Sequence, residues 1–188
     1  FLSKISLIGI WFLNIILDIK IKMSDLKIYR MYEDAQLPTF ASAGSACFDL
    51  HAYIHPTAEI IAWTDAGTKQ VPKRLNSNGM LVMYPNERLL IPTGLIFDIP
   101  KEHYVRLYAR SGNAFKQGLV LANGVGIIDN DYVEEVKIML HNVSDMNNVI
   151  NMGDRLCQGE MVQSLTYSII DSKRPKTKTE RNGGFLQA

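Results

Sequence analysis

The sequence predicts an all-β domain of antiparallel strands with one short helix. Short segments in which apolar and polar residues alternate recur along the chain, as in 104–108 and 133–141, and Gly, Pro and Asn bound them. Apolar faces at helical spacing are scarce over the same length. With 188 residues, 47% of them hydrophobic and 21% charged, the composition is that of a globular domain and excludes a disordered or collagen-like chain.

Local signals place individual elements. An apolar run over 88–99 is interrupted by Pro92 and Gly94, which predicts two strands separated by a bend. In 133–141 the even positions from 136 to 140 are apolar and their neighbours are mostly polar, as in a strand with one buried face. A short helix is predicted near 113–117.

The first 22 residues are almost all apolar, but Asn14 and Asp18 interrupt the run and no small-residue cleavage site follows. Because the chain starts with Phe1 and Met23 opens an ordinary pattern, we expect residues 1–22 to be an upstream extension of the reading frame. A signal anchor is the alternative.

From residue 23 onward we expect one β domain over 23–170. Residues 62–80 are polar and are expected to form a long loop or an added hairpin between strands. Residues 171–188 carry an excess of basic side chains and a Gly-Gly-Phe near the end, which predicts a mobile tail.

Charge and cysteine content exclude several function classes. A net charge of +1 supplies no broad attraction to nucleic acid or anionic membranes, so neither is expected as a partner. Cys47 and Cys157 form no C-x-x-C, and both are expected to be reduced structural thiols. The histidine pair in H-A-Y-I-H, 51–55, lies in a strand-like pattern and is not expected to bind metal. A cytoplasmic location is the default expectation.

Five polar or Gly-containing blocks interrupt the strand pattern, and each taken alone could be a turn. The blocks are GSACFDL (44–50), ARSGNAFKQGL (109–119), NGVGIIDNDYVEEV (123–136), GDRLCQ (153–158) and ERNGGF (180–185). Together and in this order the set resembles the five motifs of the trimeric dUTP diphosphatases (dUTPases). The resemblance spans roughly residues 26–185.

The resemblance implies an antiparallel jelly-roll-like dUTPase fold with a flexible C-terminal tail that closes the active site. It implies Mg²⁺-dependent hydrolysis of dUTP to dUMP and diphosphate, which keeps uracil out of DNA and supplies dUMP for dTMP synthesis. It also implies a homotrimer with shared sites, each taking the uracil hairpin from one subunit, the phosphate motifs from a neighbour and the tail from the third. Two alternatives stay open: a dCTP deaminase of the same fold, and a dUTP-binding regulatory module with weak catalysis.

Hydrolysis of a nucleoside triphosphate requires groups that hold the phosphates, and the second block supplies them. Arg110 offers a fork of donors, Ser111 a hydroxyl and a backbone N–H, and Gly112 a close approach of the main chain. A helix N-cap without a ligand would explain Ser111 but not Arg110. The resemblance adds Gln158 to the phosphate region and Arg181 as a contact to the γ-phosphate.

The third block contains the candidate general base. Asp129 follows Ile127 and Ile128, so we expect it to emerge from a buried strand into a cleft. The resemblance makes this carboxylate the base that activates water for attack on the α-phosphorus. Asp131 is expected to have a structural role only.

The same block supplies a pocket for a pyrimidine. The Asn123 amide has both a donor and an acceptor for the edge of the ring, and the resemblance assigns it to uracil recognition. By the same resemblance the backbone of Gly126, Ile127 and Ile128 lines the pocket. The resemblance also places Tyr132 against the deoxyribose, Lys137 at the border of the site and Phe185 over the uracil.

The first block supplies one carboxylate for the cation. The resemblance implies that Asp49 holds Mg²⁺ through water, which suits an ion that keeps much of its hydration shell. Arg155 is expected to brace the strands. The sequence departs from the family where Cys47, Asn113 and Glu134 replace Gly, Leu and Gly, and the tail motif is one residue shorter.

Overall fold

The computed structural model describes residues 24–55, 60–64, 70–76, 80–174 and 176. The expected upstream extension, Arg181 and Phe185 lie outside these residues. The described ranges form fourteen strands and one helix, and every strand pair is antiparallel, which confirms the predicted fold class. In the same ranges no helix has the length and apolarity needed to span a membrane.

The elements follow one another in this order along the chain: β1 (Lys27–Arg30), β2 (Thr39–Phe40), β3 (Phe48–His51), β4 (Ile60–Trp63), β5 (Gln70–Lys73), β6 (Leu81–Met83), β7 (Arg88–Pro92), β8 (Leu95–Asp98), β9 (His103–Ala109), α1 (Ser111–Gln117), β10 (Leu119–Leu121), β11 (Gly126–Ile128), β12 (Lys137–Asn142), β13 (Asn148–Ile150) and β14 (Arg155–Gln163).

Two five-stranded sheets carry the core. One has the order β10-β12-β7-β4-β5 and the other β11-β9-β14-β3-β2, while β1-β8 and β13-β6 form two-stranded sheets. One buried cluster takes side chains from both large sheets, including Leu50 and Val105 from one and Ile91 and Ile138 from the other. The arrangement is a β-sandwich with a shared apolar interior.

The alternation in the sequence matches the buried faces. Ile138 and Leu140 of β12 are fully buried, as is Val136 just before it, whereas Lys137 and Met139 are exposed. The strand begins at Lys137, so the first residues of the predicted segment precede it.

The bend predicted within 88–99 is confirmed and moves the chain from one sheet to another. β7 pairs with β12 and β4, whereas β8 pairs with β1. Between them Gly94 has φ +68°, and a Cβ there would lie 3.0 Å from Ala35 Cβ and from Tyr53 Cγ. The hydroxyl of Thr93 donates to the carbonyl of Val136 at 2.6 Å, which satisfies a buried main-chain acceptor at the turn.

Within 62–80 the described residues form a hairpin rather than an irregular loop. β4 and β5 pair antiparallel, with Trp63 opposite Gln70, and add to the edge of the sheet beside β7. The hairpin is tied down by an ion pair between Lys73 Nζ and Glu87 Oε2 at 2.5 Å. The same oxygen of Glu87 accepts from the backbone N–H of Tyr84 at 2.8 Å. Because Glu87 is only 3% exposed, these contacts are needed to compensate its lost hydration.

Substituting Glu87→Ala is expected to lower the free energy of unfolding by about 3 to 5 kcal/mol, because it leaves the largely buried Lys73 ammonium without its anion. Urea denaturation at equal protein concentration measures this change. The exposed Glu33 provides the control, since Glu33→Ala is expected to change stability by less than about 0.5 kcal/mol. Equal losses in the two variants would show that the ion pair does not anchor the hairpin.

Candidate active site

A cleft of about 430 Å³ lies where β3, β14 and the end of β9 meet, and we call it the arginine cleft. It forms there because Asp49 of β3 and Gln158 of β14 are register partners, and Cys157 of β14 lies opposite Ala109 of β9. Residues from three of the sequence blocks therefore meet in it. Its lining includes the predicted residues Asp49, Arg110, Ser111, Gly112 and Gln158, together with Cys47.

Asp49 is the hub of this cleft. It is 8% exposed, and its two oxygens accept from Arg110 Nε at 2.9 Å and from Arg155 Nη1 at 3.3 Å. The contact by Arg155 agrees with the bracing role expected for it. Two guanidinium groups around one carboxylate leave a net positive charge, which favours an anionic ligand.

The helix α1 places Ser111 and Gly112 at the mouth of the arginine cleft. It begins two residues earlier than predicted, with Arg110 at the N-cap in extended conformation and without a side-chain cap bond. The alternative interpretation of Ser111 as an N-cap is therefore wrong, since Ser111 is the first helical residue. The helix ends at Gln117, and its C-cap is Gly118, whose φ is +64° and where a Cβ would lie 2.9 Å from Ser144 Cβ. The fit at Gly118 fixes where the helix stops.

Two titratable groups border this network. Burial lowers the pKa of His51; the Asp49 carboxylate opposes this effect, and the positive charges of Arg155 and Arg110 add to it. Its Nδ1 is buried without a hydrogen-bond partner among the described residues. Burial raises the pKa of the Cys47 thiol, and the charges of Glu160 and Asp49 raise it further. The imidazole is thus neutral and the thiol protonated at neutral pH.

A second cleft of about 240 Å³ lies between β11 and strands β7, β10 and β12 of the other large sheet, and we call it the apolar cleft. It contains Lys137 and every residue that the third block was predicted to place in the site. The residues from that block are Asn123, Gly126, Ile127, Ile128, Asp129 and Tyr132. Sequence reasoning missed its walls, Leu90, Leu107, Leu121 and Met139, because strand alternation alone does not distinguish a cleft wall from the core.

The strand that leads to Asp129 is not buried as expected. β11 has three residues, pairs with β9 and lies at the edge of its sheet. Ile127 is 52% exposed, whereas Gly126 is buried and a Cβ there would come within 3.0 Å of Leu107 Cβ. The apolar pair before Asp129 therefore lines a cleft rather than the interior. Asp129 itself is exposed and follows the strand directly.

Tyr132 is held at the rim of the apolar cleft by its neighbours. Its hydroxyl donates to the carbonyl of Glu135 at 3.0 Å, and burial, with the charges of Glu134 and Glu135, raises its pKa. The Glu135 carboxylate accepts from the N–H of Gly94 at 2.8 Å and lies 3.8 Å from Lys137 Nζ. Glu135 was not among the predicted site residues, although it lies two positions before Lys137.

The two clefts lie apart in one chain. None of the residues that line one also lines the other. Ile128, just before Asp129, pairs with Val105 near the start of β9, whereas Arg110 follows the end of that strand. From Val105 to Arg110 the chain advances by five residues, which in an extended strand is roughly 16 Å. The fold therefore does not bring Asp129 to Arg110 within one chain.

In the part of the chain that the structure describes, no three His, Cys, Asp or Glu side chains lie close enough together to hold a metal ion. The Asp49 carboxylate is the acidic group in the arginine cleft. A divalent cation bound there would need most of its ligands from elsewhere.

The fold and the two clefts define a β-sandwich protein with one cleft that carries net positive charge and a separate apolar cleft. A family model described as dUTPase matches residues 74–185. The deoxyuridine 5'-triphosphate nucleotidohydrolase of Brucella melitensis biotype 2 is 33% identical over 149 residues, which cover 79% of this chain and 82% of the relative. The enzyme of that name from Hydrogenobaculum sp. is 29% identical over 160 residues, which cover 85% of this chain and 94% of the relative. The chain belongs to the dUTPase family.

A solved structure shares the fold. A mutant dUTPase from phage phi11 of S. aureus, described as coordinating a structural Mg(II) ion, superimposes with a TM-score of 0.62. It is 19% identical, and the match covers 82% of this chain and all of the phage protein. At this identity the likeness supports the architecture alone.

Thiol labelling tests the surroundings of the two cysteines. Burial raises the pKa of Cys157 to about 12, and the pKa of Cys47 is also raised. Because the thiolate is the reactive form, Cys47 in the native protein is expected to react with iodoacetamide more slowly than free cysteine near neutral pH, and faster as the pH rises. Cys157 is expected to react only after unfolding in urea. Peptide mass spectrometry measures both, and labelling of Cys157 in native protein would contradict its burial.

Proposed function

We propose that this protein hydrolyses dUTP to dUMP and diphosphate, and so limits uracil in DNA and supplies dUMP for dTMP synthesis. The observation that carries the proposal is the apolar cleft, where the Asn123 amide, the Asp129 carboxylate and the Tyr132 ring lie together. The matched dUTPase relatives support the same reaction. They do not favour the two alternatives, the deaminase and the regulatory module.

The apolar cleft is the proposed site of the base and sugar. Asn123 offers a donor and an acceptor to the uracil edge, and the main chain of β11 supplies further groups. Apolar walls close around the ring and leave little space for a methyl group at C5. The Tyr132 ring, fixed by its bond to Glu135, packs against the deoxyribose.

Asp129 is the proposed general base. Its exposed carboxylate takes a proton from water, and the water oxygen forms a bond to the α-phosphorus as the bond from that phosphorus to the bridging oxygen breaks. Diphosphate leaves with the bridging oxygen, and dUMP keeps the new one. Lys137 borders this site.

The arginine cleft is the proposed phosphate site. Arg110 donates to the phosphates from Nη2 while Nε stays on Asp49 and Nη1 on Asn113, and Ser111, Gly112 and Gln158 line the same cleft. The net positive charge of this network offsets the charge on the triphosphate. In the tail, Arg181 is proposed to contact the γ-phosphate and Phe185 to cover the uracil when residues 171–188 close over the domain formed by 23–170.

Magnesium is the proposed cofactor, and the residues present fit an ion that arrives with the substrate. Each oxygen of Asp49 accepts one arginine donor and has a further lone pair for a water ligand. Because Mg²⁺ keeps several waters and prefers phosphate oxygens, one carboxylate is enough to orient the hydrated ion. When bound, the ion neutralises charge on the phosphates.

A homotrimer with shared sites is the proposed assembly. The separation of the two clefts in one chain supports it, because Asp129 and Arg110 must act on one dUTP molecule. A neighbouring subunit supplies the second cleft.

Substituting Asp129→Asn is expected to reduce the rate of dUTP hydrolysis by at least about 100-fold, because the amide cannot accept the proton from water. Diphosphate release by the full chain with Mg²⁺ measures this, with dCTP, dTTP and UTP in parallel, and only dUTP is expected to be hydrolysed. Asp131→Asn is the matched control, since Asp131 lies in the same turn and is expected to have no part in the reaction. Tight binding of dUTP without turnover by the unsubstituted protein would favour a regulatory module.

Mixing two inactive variants tests the shared site. Random assembly of Asp129→Asn and Arg110→Ala subunits gives mixed trimers with one intact site each, so about a quarter of the normal activity is expected to return. The subunits are mixed in denaturant and refolded together, and each variant refolded alone is the control. No recovery in mixtures that sedimentation shows to be trimers would contradict sites shared in this way.

A further inference from the structure

Asn113 connects Arg110 of the arginine cleft to the start of β14. Its Nδ2 donates to the carbonyl oxygens of Arg155 at 2.8 Å and of Leu156 at 3.4 Å. Its Oδ1 accepts from Arg110 Nη1 at 3.5 Å. One amide on α1 thus contacts both the start of β14 and the guanidinium that binds the phosphates in the proposed function.

The contact to β14 has a structural cause. The register between β14 and β3 shifts between Arg155 and Cys157, which leaves Leu156 as the extra residue of a bulge. β9 reaches only to Ala109, opposite Cys157, before the chain turns into α1. The carbonyls of Arg155 and Leu156 therefore lie beyond the ladder with β9, and a side-chain amide takes the place of the missing strand.

The contact to Arg110, at 3.5 Å, restrains the guanidinium at a second point. Its Nε is bound to Asp49, and Nη1 faces Asn113, so the plane of the group is set from two sides. Nη2 is the nitrogen that neither contact uses. A fork held in one orientation loses less conformational freedom when it binds an anion.

We propose that Asn113 is a positioning residue for Arg110, and that it ties the orientation of this arginine to the bulge of β14. This inference rests on the proposed function, because it takes Arg110 as a phosphate-binding group. Asn113 does not touch the substrate, so its loss weakens binding of the phosphates through Arg110 alone.

The test compares two side-chain amides that contact different ends of α1, Asn113 within the helix and Asn148 in β13. Asn113→Leu removes all three contacts, and it is expected to weaken binding of α,β-imido-dUTP, a non-hydrolysable analogue, by roughly tenfold while kcat changes less. The matched control is Asn148→Leu, since Asn148 Nδ2 donates to the carbonyl of Gln117 at 3.0 Å, at the other end of α1. Asn148→Leu is expected to lower the melting temperature without weakening binding of the analogue. Calorimetry with the full chain measures both affinities.

A double substitution distinguishes positioning of Arg110 by Asn113 from a general loosening of the helix. In an Arg110→Ala background, the effect of Asn113→Leu on affinity is expected to shrink to within about twofold. Asn113→Asp keeps an oxygen for Arg110 but loses both donors, and is expected to bind the analogue more tightly than Asn113→Leu. It also serves as the second variant should Asn113→Leu fail to fold.

Three results would each overturn the proposal. The first is an unchanged affinity of Asn113→Leu for the analogue, and the second is an equal loss of affinity in Asn148→Leu. The third is an undiminished effect of Asn113→Leu in the Arg110→Ala background. Inorganic diphosphate is titrated in parallel as a probe of the arginine cleft. An unsubstituted protein that neither hydrolyses dUTP nor binds the analogue would refute the proposed function. The comparison of the Asn113 variants is then made with diphosphate alone.

Discussion

The buried carboxylate of Asp49 is the constraint on which the arginine cleft depends. A carboxylate at 8% exposure is costly unless donors compensate its lost hydration, and here the donors are Arg110 and Arg155. One lies just after β9 and the other at the start of β14, so the charge joins the ends of two strands to β3. The turn into α1 and the bulge in β14 are both built around these arginines.

Much of the fold is readable from local patterns, because each depends on neighbours in sequence. Backbone preferences of single residues account for the bend at Gly94 and the helix near 113–117. The side of the strand that faces the core accounts for the buried even positions of 136–140. Much of the lining of each cleft was also predictable, since the blocks 44–50 and 109–119 supply most residues of the arginine cleft and the block 123–136 supplies most of the apolar cleft.

What the sequence left open depends on contacts between distant residues. Alternation shows that Ile127 and Ile128 are apolar strand residues, but not that β11 lies at a sheet edge and turns them toward a cleft. Strand neighbours are chosen by packing of the whole core, so neither the register of Asp49 with Gln158 nor the distance between the clefts can be derived from spacing. The ion pair between Glu87 and Lys73 likewise could not be predicted, because it forms only when the hairpin of β4 and β5 has joined the sheet.

The edge position of β11 affects how the family can diverge in sequence. The main-chain groups of Gly126 to Ile128 that face away from β9 have no neighbouring strand among the described residues. Every amino acid except proline carries both main-chain groups, so a ligand that binds them is recognised by features that most substitutions do not remove. Substitution is therefore expected to be tolerated at Ile127, whose side chain is half exposed, and to be costly at Gly126, where a Cβ would lie 3.0 Å from Leu107 Cβ. Homologues should retain specificity while their side chains along this edge change.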